Sequence, residues 1–191
     1  MALGAREKIL KAAFREFAKR GFAGTRVETI TSRARVNKQL LYYYFGNKRA
    51  LYEEVARTVH AEREAAITKA PDNFADNLAY WLGRHASDPD YLRLLMWESL
   101  EGAKAPAGEE SRRHFWAESL ARAAQNEAAG VWPDSGGKTG QALLCWLGAV
   151  MFPLAFPQLT RLITGREPDE AAFLSEREAF LRSWAKRQNP S

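Results

Sequence analysis

The sequence holds one cysteine, Cys145, among 191 residues. No intrachain disulfide can form, and cysteine-based zinc fingers are excluded. Cys145 sits in LLCWLG, an apolar helical run where a thiol is expected to be inert packing. Histidine is nearly as scarce. His60, His85 and His114 lie far apart in sequence and follow no metal-ligand spacing. There is no phosphate-cradling glycine loop and no Gly-x-Ser-x-Gly, so no positive sign of catalysis, cofactor or metal is present. The first ten residues, MALGAREKIL, lack the apolar core of a signal peptide, and a cytoplasmic protein is expected. Residues 139–160 carry no charge, and a membrane-spanning helix needs ~20 apolar residues. Gln141, Pro153, Pro157 and Gln158 interrupt that run, so the expectation is a helix buried in a core or in an interface, with no membrane partner. No strand pattern stands out, and the fold class expected is all-α.

Charge is present, and it is uneven. The net formal charge is +5. Residues 1–50 hold 12 Lys/Arg against 3 Asp/Glu, a net +9, while the remainder holds 16 against 20, a net −4. A basic head on a mildly acidic body suits a polyanionic partner for the head alone.

Within that head, residues 25–48 (TRVETITSRARVNKQLLYYYFGNK) read as two short helices across a tight turn, then the start of a third. Thr25 and Glu28 have capping-box spacing. Val27, Ile30 and Ala34 share one face of the first helix. Arg35 and Val36 make the turn, and Asn37 is a good N-cap for a second helix from Lys38. In that helix Leu41, Tyr44 and Phe45 fall on one side, leaving Lys38, Gln39, Tyr42 and Tyr43 on others. A short helix rich in donors and aromatics, displayed after a tight turn, is what reading a DNA major groove requires. A preceding helix over about residues 5–20 carries Ile9, Leu10, Ala13, Phe14 and Phe17 inward. Gly21 follows at a left-handed position, with Phe22 packing back on Phe17.

Phe14, Phe17, Gly21, Thr25, Val27, Ile30, Ala34, Val36, Lys38, Leu41, Tyr42, Tyr44, Phe45 and Lys48 resemble the N-terminal signature of the TetR/AcrR transcriptional regulators, over roughly residues 5–55. The resemblance implies a helix-turn-helix DNA-binding domain over 1–47 and an effector-binding and dimerisation domain over 48–191. It also implies a phosphate contact at Lys48, which agrees with the free amides and lysine expected at a helix N-terminus. Candidate phosphate contacts are Thr25, Tyr43, Tyr44 and Lys48. Lys38 suits guanine and Gln39 adenine; Tyr42 suits a sugar or a thymine methyl, and Arg26 a phosphate or a guanine. Leu40 departs from the Thr common in the family and offers a thymine-methyl contact instead.

Six more helices are expected beyond the head, over about 48–69, 73–86, 89–101, 109–129, 141 onward with a break near Pro153 and Pro157, and 170–187. Loops are expected at 102–108 and 130–140. The resemblance implies an effector pocket among the middle helices, and Trp81, His85, Trp97, Glu98, Phe115, Trp116, Trp146 and Phe152 are its candidates. His85 reads first as a core histidine and second as a ligand contact; Glu98 reads first as an exposed flank of the apolar face and second as the holder of a cationic ligand. The last two long helices are implied to pair with their copies in a homodimer, through Leu147, Met151, Leu154, Phe173, Phe180, Leu181 and Trp184. The expected function is a regulator of a palindromic operator in double-stranded DNA, released by a small apolar or aromatic effector. A DNA-binding protein under protein-partner control and a helical enzyme are the alternatives.

Overall fold

The computed structural model describes residues 4–102 and 108–188, with the side chain of Ser111 apart. All regular structure among them is helical: α1 (Ala5–Gly24), α2 (Val27–Ala34), α3 (Lys38–Phe45), α4 (Lys48–Ile67), α5 (Phe74–Ser87), α6 (Pro89–Leu100), α7 (Glu109–Ala128), α8 (Thr139–Ala155), α9 (Pro157–Thr164) and α10 (Ala171–Gln188). Five residues of the loop expected at 102–108 lie outside the described residues. Two compact units form, residues 1–64 with 90–112, and residues 65–89 with 113–191. Compactness therefore groups most of α6 with the head. This differs in kind from the functional division expected at residue 47.

In the first unit α1, α2 and α3 pack on one another. Ile9, Phe17, Ile30, Leu41 and Leu51 are fully buried there. The helix α1 continues across a break at Gly21, whose φ of 69° and ψ of 178° lie outside the reach of most side chains. The break lets Phe22 fold back, 6.2 Å from Phe17, with Tyr52 edge-on to both rings. Close packing seals it: a Cβ on Gly21 would lie 2.5 Å from Glu101 Oε1 and 2.8 Å from Trp97 Cε3. The Ala23 amide donates to the same Glu101 oxygen at 2.9 Å.

A buried carboxylate clamps α1 to α2. Glu16 is inaccessible and pairs with Arg33 at 2.8 Å and Arg20 at 3.5 Å. Farther along α4, His60 and Arg63 are buried beside Tyr91, whose ring lies 4.0 Å from the Arg63 guanidinium. Burial pushes the His60 imidazole down to about 4, and the charges of Arg112 and Arg63 push the same way.

The second unit is built on α5, which packs against α10 and α8. Phe74, Leu78, Trp81, Leu82, Trp146, Val150 and Leu181 form its core. Asn73 caps α5 by accepting from the Ala75 and Asp76 amides. Arg122 donates to the last carbonyl of α4, Ile67 at 2.5 Å, and to the Ala70 carbonyl in the turn beyond at 2.8 Å, so a side chain of α7 caps that helix.

Of the two prolines, Pro157 acts as expected and Pro153 does not: Pro153 is held inside α8, which runs on to Ala155, and Pro157 opens α9 at a bend of 90°. What was read as one long helix with a break is thus two. No single helix among the described residues is long and apolar enough to cross a membrane; α8 and α9 meet that description only as a bent pair. Nor is α8 covered on nearly all sides. Leu144, Cys145 and Phe152 are exposed, so Cys145 is surface and not packing. In α7 Phe115 and Ala123 are buried, while Trp116 and Leu120 face outward.

Candidate nucleic-acid interface

The reading helix α3 is set by its two ends. Arg35 stands at φ 56°, the only left-handed non-glycine among the described residues, and its amide returns to the Ser32 carbonyl at 3.2 Å. That reversal stops α2. Asn37 then accepts from the Leu40 amide at 2.8 Å and starts α3. Leu41 and Phe45 anchor α3 to the interior. Tyr44, expected on that side with them, is exposed instead, as are Lys38, Gln39, Tyr42 and Tyr43. Tyr43 is the extreme case at 82% exposure, and its ring meets Tyr44 edge-on at 5.3 Å. Leu40 is half-buried, and Arg26 is exposed at the start of α2. One surface thus carries three tyrosine hydroxyls, an amide, an ammonium and a guanidinium, donors suited to phosphates and base edges.

After α3, Gly46 turns the chain at φ 74° and Asn47 caps α4 through the Ala50 amide at 2.9 Å. Lys48 is the first residue of α4, its ammonium 4.6 Å from the Phe22 ring centre. Partial burial lowers its proton affinity, and Glu101 opposes that shift. Its place at a helix N-terminus, where amides point outward, is an anion site in physical terms.

Two expectations in this region need correction. Thr25 does not cap α2. It is 2% exposed, and its hydroxyl donates to the Gly21 carbonyl at 2.7 Å and the Glu16 carbonyl at 3.0 Å. A hydroxyl so buried is a brace for the α1–α2 junction and no longer a candidate phosphate contact. Glu28, released from the capping box, pairs instead with Lys38 on the other side of the turn. That partnership crosses ten positions of chain, and nothing in local spacing announces it.

Residues 9–55 match the family model of the bacterial regulatory proteins of the tetR family. Over 159 residues the chain is 31% identical to the HTH-type transcriptional repressor SCO4008 of Streptomyces coelicolor, covering 83% of this chain and 82% of that repressor. This protein belongs to the TetR family. Over 109 residues it is also 48% identical to the HTH-type transcriptional regulator RutR of Escherichia coli K12, covering 53% of this chain and 51% of RutR. The crystal structure of SCO4942 of Streptomyces coelicolor, described as a transcriptional regulator, superposes with a TM-score of 0.76 at 26% identity, over 98% of this chain and 99% of that one. The chain is accordingly a TetR-family transcriptional regulator and not an enzyme.

In this TetR-family chain the candidate effector residues divide between the units. Trp97 and Glu98 belong to the first. Both oxygens of Glu98 are taken by Arg112, at 2.7 and 2.8 Å, and the Tyr52 hydroxyl donates to it at 3.1 Å. The carboxylate has its cation already and its side chain is 9% exposed, which corrects both readings of Glu98, the exposed flank and the holder of a cationic ligand. Trp97 lies against Gly21. In the second unit Trp81 is buried and touches His85 at 5.8 Å and Trp146 at 6.2 Å. Phe115 and Trp116 pair edge-on at 4.9 Å, and Phe152 lies outward against Phe156.

The candidate interface residues divide too. Phe173 and Leu181 are buried within the protomer, so the stripe on α10 that suggested an interface is in part core. Leu147, Met151, Leu154 and Trp184 are partly buried against that core, and Phe180 is exposed. Sequence reasoning passed over the larger exposed set: Leu144, Phe156, Leu159, Leu162 at 78% and Ile163 at 72% exposure. Leu159, Leu162 and Ile163 are spaced i, i+3, i+4 along α9, a signal hidden while that segment was read as the tail of a longer helix.

Proposed function

We propose that this regulator binds a palindromic operator in double-stranded DNA as a homodimer, and that a small apolar or aromatic effector releases it. The observation that carries the reading is the outward surface of α3, where Lys38, Gln39 and three tyrosines surround a helix anchored by Leu41 and Phe45. Lys38 and Gln39 stand at the helix N-terminus and read base edges; Tyr42 presses on a sugar or a thymine methyl, and Leu40 on a methyl. Arg26, Tyr43, Tyr44 and Lys48 hold the phosphates and fix the register. Such a protein works in the cytoplasm, where bacterial DNA is.

One head covers few base pairs, so two heads on a two-fold site supply the missing affinity. Support for a second copy comes from the apolar side chains that α8, α9 and α10 leave in solvent, Phe152, Phe156, Leu162, Ile163 and Phe180 among them. Support for an aromatic effector comes from the Trp81–His85–Trp146 cluster. An effector seated there shifts α4 and with it the spacing of the two heads. A tenfold fall in operator affinity needs an effector that prefers the released state by about 1.4 kcal/mol.

Three measurements test this. Light scattering at micromolar concentration gives a dimer; a monomer contradicts the two-fold reading. Tryptophan fluorescence responds to members of an aromatic panel; a flat response favours control by a protein partner. Gln39→Ala relaxes selectivity at one base position at a cost of ~1–3 kcal/mol, whereas Lys48→Ala weakens all sequences alike and flattens the salt slope. Uniform loss in both variants would remove Gln39 from the base readers.

A further inference from the structure

The ion pair between Glu28 and Lys38 joins the two helices of the DNA-reading motif. Glu28 lies in the first turn of α2 and Lys38 is the first residue of α3. Both side chains are half exposed or more. The Asn37 side-chain oxygen, the other acceptor near this helix start, is already committed to the Leu40 amide. An ammonium has three donors. With Glu28 taking one, the remaining two point away from the carboxylate, and guanine offers O6 and N7 as two adjacent acceptors in the major groove.

We propose that Glu28 is the positioning residue that makes Lys38 selective: it aims the ammonium at a guanine edge and withholds its charge from non-cognate DNA. The proposal rests on the reading of Lys38 as a base contact. A phosphate attracts a bare ammonium wherever it stands, without regard to sequence. A lysine paired to a carboxylate brings no net charge to a passing phosphate, so sequence-independent binding gains little from it. At the cognate base the pair need not break, because the guanine takes the two donors that Glu28 leaves free. The hydrogen bond from Lys38, with Arg26 adding its charge, holds the Glu28 carboxyl below its ordinary range, and the carboxylate stays charged at neutral pH. The exposure of both partners keeps the pair exchangeable and the fold independent of it.

The test compares the full-length protein with E28Q, K38Q and the double variant, by fluorescence anisotropy on its selected operator and on a random duplex, between 50 and 300 mM salt. E28Q should bind the random duplex several-fold more tightly at low salt, with a salt slope steeper by ~0.9 for each head. Its operator preference over random DNA should fall about tenfold, the scale of one lost base contact. In the K38Q background the same change should do almost nothing to slope or preference. E28Q binding both duplexes as the parent does would overturn the proposal. So would an E28Q effect of equal size with and without Lys38, which would make Glu28 a direct contact. The parent reading fails separately: if K38Q keeps full base selectivity, Lys38 is no reader, and the coupling of the two variants in the salt slope then reports charge pairing alone. Melting by circular dichroism should be the same for all four proteins.

Discussion

Residues 38–45 and 157–164 form two short helices of equal length, α3 and α9, and both leave large side chains in solvent. The side chains differ in kind. Those of α3 end in hydroxyls, an amide and an ammonium; Tyr42, Tyr43 and Tyr44 each carry an apolar ring with a polar tip. Those of α9 include Leu159, Leu162 and Ile163, an apolar stripe beside the exposed Gln158 and Arg161. A surface of the first kind stays hydrated and can exchange water for the phosphates and base edges of DNA. A surface of the second kind gains only by apolar burial. The difference supports the proposal that α3 meets a polyanion and α9 a second copy of this chain.

Mutations can sharpen or break that contrast. The interior behind α3 must be rigid for its display to be specific, so the largest effect is expected there. Phe17→Ala should destabilise the protein by ~3–5 kcal/mol in urea unfolding. A loss below about 1 kcal/mol would mean that the ring is not the keystone of the head.

Next comes acid. The His60 imidazole is held near 4 in the folded protein against 6.5 for the free side chain. Between those values the unfolded chain takes up the proton and the folded one does not, so stability falls as pH falls through that window. The full contribution, present above 6.5, is roughly 3 kcal/mol. His60→Gln should flatten this part of the stability–pH curve. An unchanged slope would place the titrating group elsewhere.

Gly21→Ala should cost ~1–3 kcal/mol, since its backbone conformation is nearly reserved for glycine and Trp97 and Glu101 fill the space a methyl would need. Because this break sets the direction in which α2 starts, operator affinity should fall with stability. The smallest effect on the protomer belongs to α9. Leu162→Lys with Ile163→Lys should leave the unfolding of the isolated protomer within ~0.5 kcal/mol, as surface changes do, while abolishing the dimer in light scattering. A persistent dimer would move the interface off α9.

Much of the head was legible in sequence because its decisive contacts are local. Asn37 to Leu40, Asn47 to Ala50 and Phe22 to Phe17 each span five residues or fewer, and spacing predicts them. Thr25 and Glu28 fit a capping box equally well by spacing, yet tertiary partners outcompete it: Thr25 turns back to Glu16 and Gly21, and Glu28 crosses to Lys38. The second unit was harder for a related reason. An apolar stripe on α10 says that a face is buried without saying by what, and for Phe173 and Leu181 the answer is the protomer itself. Glu98 looked available because Arg112, its partner, stands fourteen positions later.

The central claim is that the surface of α3 reads sequence on a two-fold site. Selection of bound sequences from a random duplex pool, with the purified full-length protein, tests it most directly. A palindrome should emerge, with half-sites about one helical turn apart. Recovery of sequences without symmetry, or of none above non-specific binding, would contradict the account.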